Sequence, residues 1–219
     1  NRYVFEQLNY AKMRTGAIRH ITAIMLMGVI TLGGWAQSAM KTLNAAIKRF
    51  ETPGGVTADY VLANDQGSTR GTIDMKGKNY RIMSNDLKCW YNGTTQWTYS
   101  SISGEVCITV PTLEEMQMSN PYVALTTLKK SCKIYKVNTK TKGVLVLKLV
   151  PKAKDQQVKH IMVYIKTDSY AVTNVNFEMT DGSYYRTTIT NFKEAKHSNA
   201  TFNYDSKTVP KGTEVVDLR

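Results

Sequence analysis

The chain predicts a mainly-β α+β domain: an antiparallel sheet of ten or so strands, one N-terminal helix and one helical insert. Three observations predict it. Thirteen Tyr and many Thr and Val, against only five Pro, favour strands. From Val56 onward the sequence falls into short alternating runs separated by turns. Two stretches, one before Val56 and one after Val110, break that pattern with helical signals.

The first helix is read from Ser38 to Phe50. Met40, Leu43, Ile47 and Phe50 recur at helical spacing and make one apolar stripe, and Ser38 is placed to cap the first turn. Thr52-Pro53-Gly54-Gly55 ends it. Strands follow over Val56 to Ala63, Gly71 to Met75, Asn79 to Ser84 and Asp86 to Tyr91. Asn92-Gly93 is a strong hairpin signal into Gln96 to Ser100, and Ser103-Gly104 turns into Glu105 to Val110. Such short turns can join only antiparallel strands.

The break comes at Pro111. Thr112 and Glu115 are spaced as a capping box, and Asn120-Pro121 offers an N-cap with proline at the first helical position. The second short helix would present Val123, Leu125 and Leu128. Such an insert serves either as a flap over one sheet face or as a plug in the end of a barrel. Strands resume after Lys133, over Gly143 to Val150, Val158 to Thr167, Ala171 to Thr180 and Ser183 to Phe192. Thr201 to Tyr204 and Glu214 to Leu218 read as closing elements. No repeat or linker divides this, so residues 39–219 are expected to form one domain.

Ahead of it, Met13 to His20 is basic, Ile21 to Trp35 carries no charge, and Ala36-Gln37-Ser38-Ala39 is rich in small residues. Those three zones in order describe a cleaved secretory signal over 13–38, with cleavage after Ala36 or Ser38 and a periplasmic destination. Fifteen uncharged residues span about 22 Å as a helix, short of the ~30 Å hydrocarbon core of a bilayer. Residues 1–12 do not fit such a signal, and Met13 reads as the true start. No Cys follows the cleavage region before Cys89, so a lipid-anchored product is not expected.

The net charge is +12. Its lysines are spread along the chain without an Arg-rich stripe, which reads as a solubilising surface, and nucleic-acid binding is not expected. Cys89, Cys107 and Cys132 form neither a disulfide framework nor a zinc signature. Cys89 and Cys107 sit on strands separated by another strand, so all three are expected as buried thiols. His160 and His197 have no Cys or carboxylate at metal-ligand spacing, and no nucleophile elbow, phosphate loop or HExxH helix is present. No enzyme activity, metal or cofactor is expected. What the residues leave is a curved sheet rich in Met and aromatics, which either fills itself or binds something apolar.

Trp90 to Tyr99, with Asn92-Gly93-Thr94 and Trp97-Thr98-Tyr99, resembles the Asp-Gly-Lys-Thr-x-Trp-x-Tyr hairpin of LolA-type lipoprotein carriers. Glu105 to Thr112, Glu114-Glu115 and Asn120-Pro121-Tyr122 resemble the continuation in Bacteroides-type members. Phe202-Asn203-Tyr204 and Pro210 to Asp217 are similar to the family's closing pattern, and Gly71 to Gly77 to its early strand. The resemblance covers nearly all of 39–219 and rests on turn and core residues. It implies a half-open antiparallel β-barrel of LolA/LolB type, with helices as a lid over an apolar cavity.

By the same resemblance, a monomeric periplasmic chaperone would take the acyl chains of lipidated proteins from an inner-membrane ABC exporter to an outer-membrane acceptor of unknown identity. A periplasmic binder or sensor of another apolar ligand on this fold is the alternative. Where many members carry an Arg-Pro latch after the early strand, this chain has Lys76-Gly77-Lys78, so that latch does not carry over. The expected ligand surface is a sheet face bearing Tyr80, Ile82, Trp97 and Tyr99. Leu43, Ile47 and Phe50 of the first helix and Met116, Val123, Leu125 and Leu128 of the insert are expected to face it.

Overall fold

The computed structural model describes residues 32–153 and 157–219. Helix α1 spans Leu32–Lys48 and is followed by β1 (Val56–Asn64), β2 (Gly67–Lys76), β3 (Asn79–Ser84), β4 (Leu87–Tyr91), β5 (Gln96–Ser100) and β6 (Glu105–Thr109). Two short helices, α2 (Leu113–Ser119) and α3 (Pro121–Ser131), interrupt the strands. Then come β7 (Cys132–Val137), β8 (Val144–Pro151), β9 (Val158–Lys166), β10 (Val172–Met179), β11 (Tyr184–Glu194) and, at the end, β12 (Glu214–Asp217).

All twelve strands belong to one sheet, in the order β12-β6-β5-β4-β3-β2-β1-β11-β10-β9-β8-β7. Sequential neighbours pair antiparallel, and β11 closes back onto β1. Strand β12 pairs parallel with β6, an arrangement that the expected all-antiparallel sheet did not include. Strands β7 and β12 remain unpaired edges, so the sheet is open, as a half-open barrel requires. One hydrophobic cluster joins Ile134, Leu149 and Ile161 at one end of the sheet to Tyr80 and Tyr91 towards the other, around Leu43 and Phe50 of α1. The sheet must therefore curl around the helices.

Several local expectations are corrected. Helix α1 begins at Leu32, so Ser38 is not its N-cap but lies mid-helix, its carbonyl accepting the Thr42 hydroxyl at 3.0 Å. The part of the expected secretory signal before residue 32 lies outside the described residues. The β4–β5 connection has four residues: Tyr91 pairs with Gln96, and Asn92 N–H donates to Thr95 O. The Asn92 carboxamide oxygen ties this loop by accepting from the N–H groups of Thr94 and Thr95. Of the two closing elements, Glu214–Asp217 is a strand, whereas the first begins within a 3-10 turn over Asn199–Phe202. Cys107 is half-buried rather than buried, although all three thiols are free.

The capping box at Thr112 and Glu115 and the Asn120-Pro121 start of α3 form as the sequence predicts. Two backbone features shape the sheet. A bulge between Thr57 and Asp59, opposite Asn191 at φ 52°, turns Phe192 onto Phe50 of α1, with ring centroids 5.3 Å apart. Gly54 and Gly55 let the chain after β11 pass closely: Ala195 N–H donates to Gly55 O and His197 N–H to Gly54 O. A Cβ on Gly54 would stand 2.2 Å from Ala195 O, so no other residue fits there.

Candidate functional site

Side chains alternate along each strand, and directly paired residues of neighbouring strands share a face. Val56, Met75, Tyr80 and Tyr91 are paired in turn across β1 to β4 and lie on the face towards α1. Leu149, Ile161 and Phe177 continue this face across β8 to β10. The sheet is therefore apolar on its inner surface along most of its width. At the β5–β6 end the inner face turns polar, with Gln96, Thr98, Cys107 and Thr109.

That polar rim is internally bonded. The Tyr80 hydroxyl donates to Gln96 Oε1, Gln96 Nε2 donates to Thr98 Oγ1 at 3.2 Å, and Thr98 Oγ1 contacts Cys89 Sγ at 3.5 Å. Burial raises the Tyr80 phenol far above its ordinary range and pushes the Cys89 thiol up to about 12. Both stay neutral at physiological pH, so neither introduces a charge into the apolar surface.

Three helices cover this surface. Leu43 and Ala46 of α1 are fully buried, with Ile47 and Phe50 almost so. From the insert, Leu125 is buried and Met116, Tyr122 and Leu128 pack against the same cluster half-buried. The insert is tied to the sheet by Asn120, which is fully buried at the α2–α3 junction. Its Nδ2 donates to Gly77 O at 3.2 Å and Lys78 O at 3.1 Å, in the β2–β3 turn. Its Oδ1 accepts from Tyr122 N–H at 2.9 Å and Val123 N–H at 3.2 Å, capping α3. The Lys76-Gly77-Lys78 turn is thus held by an asparagine of the cover.

Leu43, Ile47, Phe50, Tyr80, Ile82, Met116, Leu125 and Leu128 come together in this one cluster. Val123 is buried but lies outside it. Trp97 and Tyr99 do not share the face of Tyr80 and Ile82. Trp97 pairs with Trp90, which pairs with Arg81, and all three side chains stand on the outer face. There Trp90, Trp97 and Tyr99 join Met83, Val106, Tyr204 and Val209 in a second cluster beneath the segment 195–213. Sequence reasoning missed Met75, Tyr91, Leu149 and Ile161, although the alternation of Val158 to Lys166 marked the last of these.

Outside the inner face, folding supplies the carboxylates that the histidines lack in sequence. His197 Nε2 lies 3.5 Å from Asp74 Oδ1, and Arg81 bonds Asp74 Oδ2 at 2.6 and 2.8 Å. His160 Nε2 lies 3.2 Å from Glu178. Burial and neighbouring lysines lower the His160 pKa below its ordinary value, so this pair is not a fixed ion pair at neutral pH. Two shallow pockets, of about 360 and 510 Å³, sit at the Thr57–Asp59 bulge and along 204–213; neither opens between helices and sheet.

A family model described as outer membrane lipoprotein carrier protein LolA matches residues 29–183. No curated protein matches the chain. Among solved structures, an uncharacterized conserved protein from Thermus thermophilus is similar, with TM-score 0.55 at 13% identity, covering 83% of this chain and 99% of that one. A LolA superfamily protein from Nitrosomonas europaea has TM-score 0.42 at 11% identity, covering 76% and 98%. A putative outer membrane lipoprotein-sorting protein domain from Vibrio parahaemolyticus has 0.44 at 14%, covering 77% and 97%. The first of these shows a shared fold. Because the family match spans residues 29–183 of 219, the chain belongs to the family of outer membrane lipoprotein carrier proteins, LolA.

Proposed function

We propose that this protein is an exported periplasmic carrier that shelters lipoprotein acyl chains between the inner sheet face and a displaceable helical cover. The observation that carries the reading is an apolar inner face covered by short helices whose junction is fastened at Asn120. A sixteen-carbon chain costs on the order of 12 kcal/mol to expose, at roughly 0.8 kcal/mol per CH₂. With α1 and the insert packed on the inner face, loading in this reading is an exchange. Leu125, Leu128 and Met116 leave the sheet as the acyl chain enters, and their exposure costs roughly 1.5–3 kcal/mol each. Together these three offset about 4.5–9 kcal/mol of that cost and leave a net of about 3–7.5 kcal/mol, so the cargo is held by much less than its full exposure cost.

In this reading the segment from Met13 to Ala36 or Ser38 is removed on export. Cleavage after Ala36 leaves Ser38 free to cap the shortened α1; intact-mass measurement of the exported protein distinguishes it from cleavage after Ser38. The cargo partners are lipidated proteins, received from an inner-membrane exporter and passed to an outer-membrane acceptor. The protein acts by binding, without an enzymatic step or cofactor.

Two measurements test the reading. Protein purified from its native periplasm should carry acylated polypeptide detectable by mass spectrometry; repeated preparations free of it, with no uptake of a palmitoylated peptide, would count against a carrier. When such a peptide is bound, amide exchange over Val123–Leu128 should accelerate. Bound peptide with unchanged protection there would remove the cover from the mechanism.

A further inference from the structure

Although lysines occur along the whole chain, its net positive charge is concentrated where the cover meets the sheet edge, because acidic residues are missing there. Between Glu115 and Asp155 the sequence has nine lysines and no acidic residue, within a chain whose net charge is +12. In the fold the described part of this stretch, up to residue 153, comprises the end of α2, α3, β7 and β8, and β7 is an edge of the sheet. Lys133 and Lys136 project from β7, Lys140 and Lys142 from the β7–β8 loop, and Lys130 and Lys152 flank the end of α3, all exposed. Lys152 Nζ donates to Lys130 O at 2.7 Å, which joins the end of α3 to this rim. Among the described residues, no carboxylate lies within ion-pair distance of Lys133, Lys136, Lys140 or Lys142.

We propose that this lysine-lined β7 edge is a docking surface for an anionic phospholipid membrane. The chemistry favours a membrane over a protein partner. The nine cations include no arginine, the residue suited to fixed bidentate pairing with carboxylates in an ordered interface. Lysine is a hydrated point charge on a flexible stem, suited to a laterally mobile layer of headgroups. Tyr135 stands among them at 50% exposure, an apolar ring with a polar tip of the kind that settles at a membrane–water interface. Docking by this edge would bring α3 against the bilayer, so that the cover would open at the surface that donates or accepts an acyl chain. The location of the charge does not depend on the carrier reading; only this use of it does.

The test is flotation of the mature full chain with vesicles of phosphatidylcholine alone or with one-third phosphatidylglycerol, at low and high salt. Binding is expected only to the anionic vesicles and should fall with salt. The triple variant Lys133→Gln/Lys136→Gln/Lys140→Gln should weaken partitioning roughly a hundredfold, at about fivefold per lysine near such a surface. A control with the same charge change, Lys196→Gln/Lys207→Gln/Lys211→Gln, should lose far less. Equal loss in both variants would replace a docking edge with general net-charge attraction and overturn the proposal. So would binding to an acidic peptide without binding to vesicles, or no binding to either, which would leave the lysines as guards against edge pairing. Uptake of a palmitoylated peptide in solution, measured on the same variants, should stay unchanged and reports separately on the carrier reading.

Discussion

Asn120 is where the cover can be released without touching the core of the sheet. Its side chain makes four hydrogen bonds, two donated to the carbonyls of Gly77 and Lys78 and two accepted from α3. In Asn120→Ala the loss of the helix cap costs about 1 kcal/mol. The two donated bonds contribute about 1 kcal/mol each, because the exposed turn carbonyls can rehydrate. Closure of the cover is then weakened by about 3 kcal/mol, on the order of a hundredfold in its opening equilibrium. Hydrogen exchange should accelerate by about that factor over Val123–Leu128, while amides of β9 around Val163 keep their protection. Asn120→Asp separates the two roles. Its carboxylate retains the cap but faces the turn carbonyls without a donor, so the cover should still open. Exchange over α3 in Asn120→Asp that matches the unmodified protein would refute the tie to the turn. Equal acceleration in β9 would show that Asn120 supports the whole fold rather than the cover.

Other outcomes follow from the two faces. Trp90 is 1% exposed beneath the C-terminal segment, edge-to-face with Tyr204 at 5.4 Å. Trp90→Ala should cost about 3–5 kcal/mol in denaturant unfolding, yet leave acyl-peptide affinity of the folded fraction unchanged; lost affinity with intact stability would return this cluster to the ligand surface. The Cys89 thiol, pushed up to about 12 from an ordinary value of 9.0, ionises in the unfolded chain before it does in the folded one. Stability should therefore fall as pH rises from about 9 towards 12, because the folded state holds more protons there. Cys89→Ala should reduce the slope, and an equal slope would show that other groups carry it. At pH 8 a thiol reagent should modify half-buried Cys107 well before Cys89 or Cys132, and labelling of all three at one rate would contradict the burial observed.

Much of the architecture was legible because it is local. Thr112 with Glu115 and Asn120 with Pro121 specify their helix starts within a few residues, and both form. The alternation of Asn79 to Ser84 correctly places Tyr80 and Ile82 opposite Arg81. The N-terminus of α1 was misread because Ser38 satisfies a capping rule that the preceding residues override by continuing the helix. The long-range pieces had no such signature. Neither the parallel pairing of β12 with β6 nor the bulge that turns Phe192 inward follows from composition or spacing.

The placement of Trp97 and Tyr99 shows where sequence and tertiary structure divide the work. Alternation fixes which residues of one strand share a face, and counting through the turns passes that parity from strand to strand. Such a count already puts Gln96, not Trp97, on the face of Tyr91. The composition of the strands pointed the other way, because the rule that the apolar side faces the core assumes that the other side is wet. Here the segment 195–213 covers the outer face, so β4 is apolar on both sides and β5 carries its apolar side outward. The sequence by itself determined the strands, the turns, the helix caps and the parity along each strand, since these depend on neighbours in the chain. Only the folded chain decided which apolar face meets the helices and which meets the C-terminal segment, and that Asn120 reaches the turn 42 and 43 residues away, because those depend on which distant segments compete for the same surface.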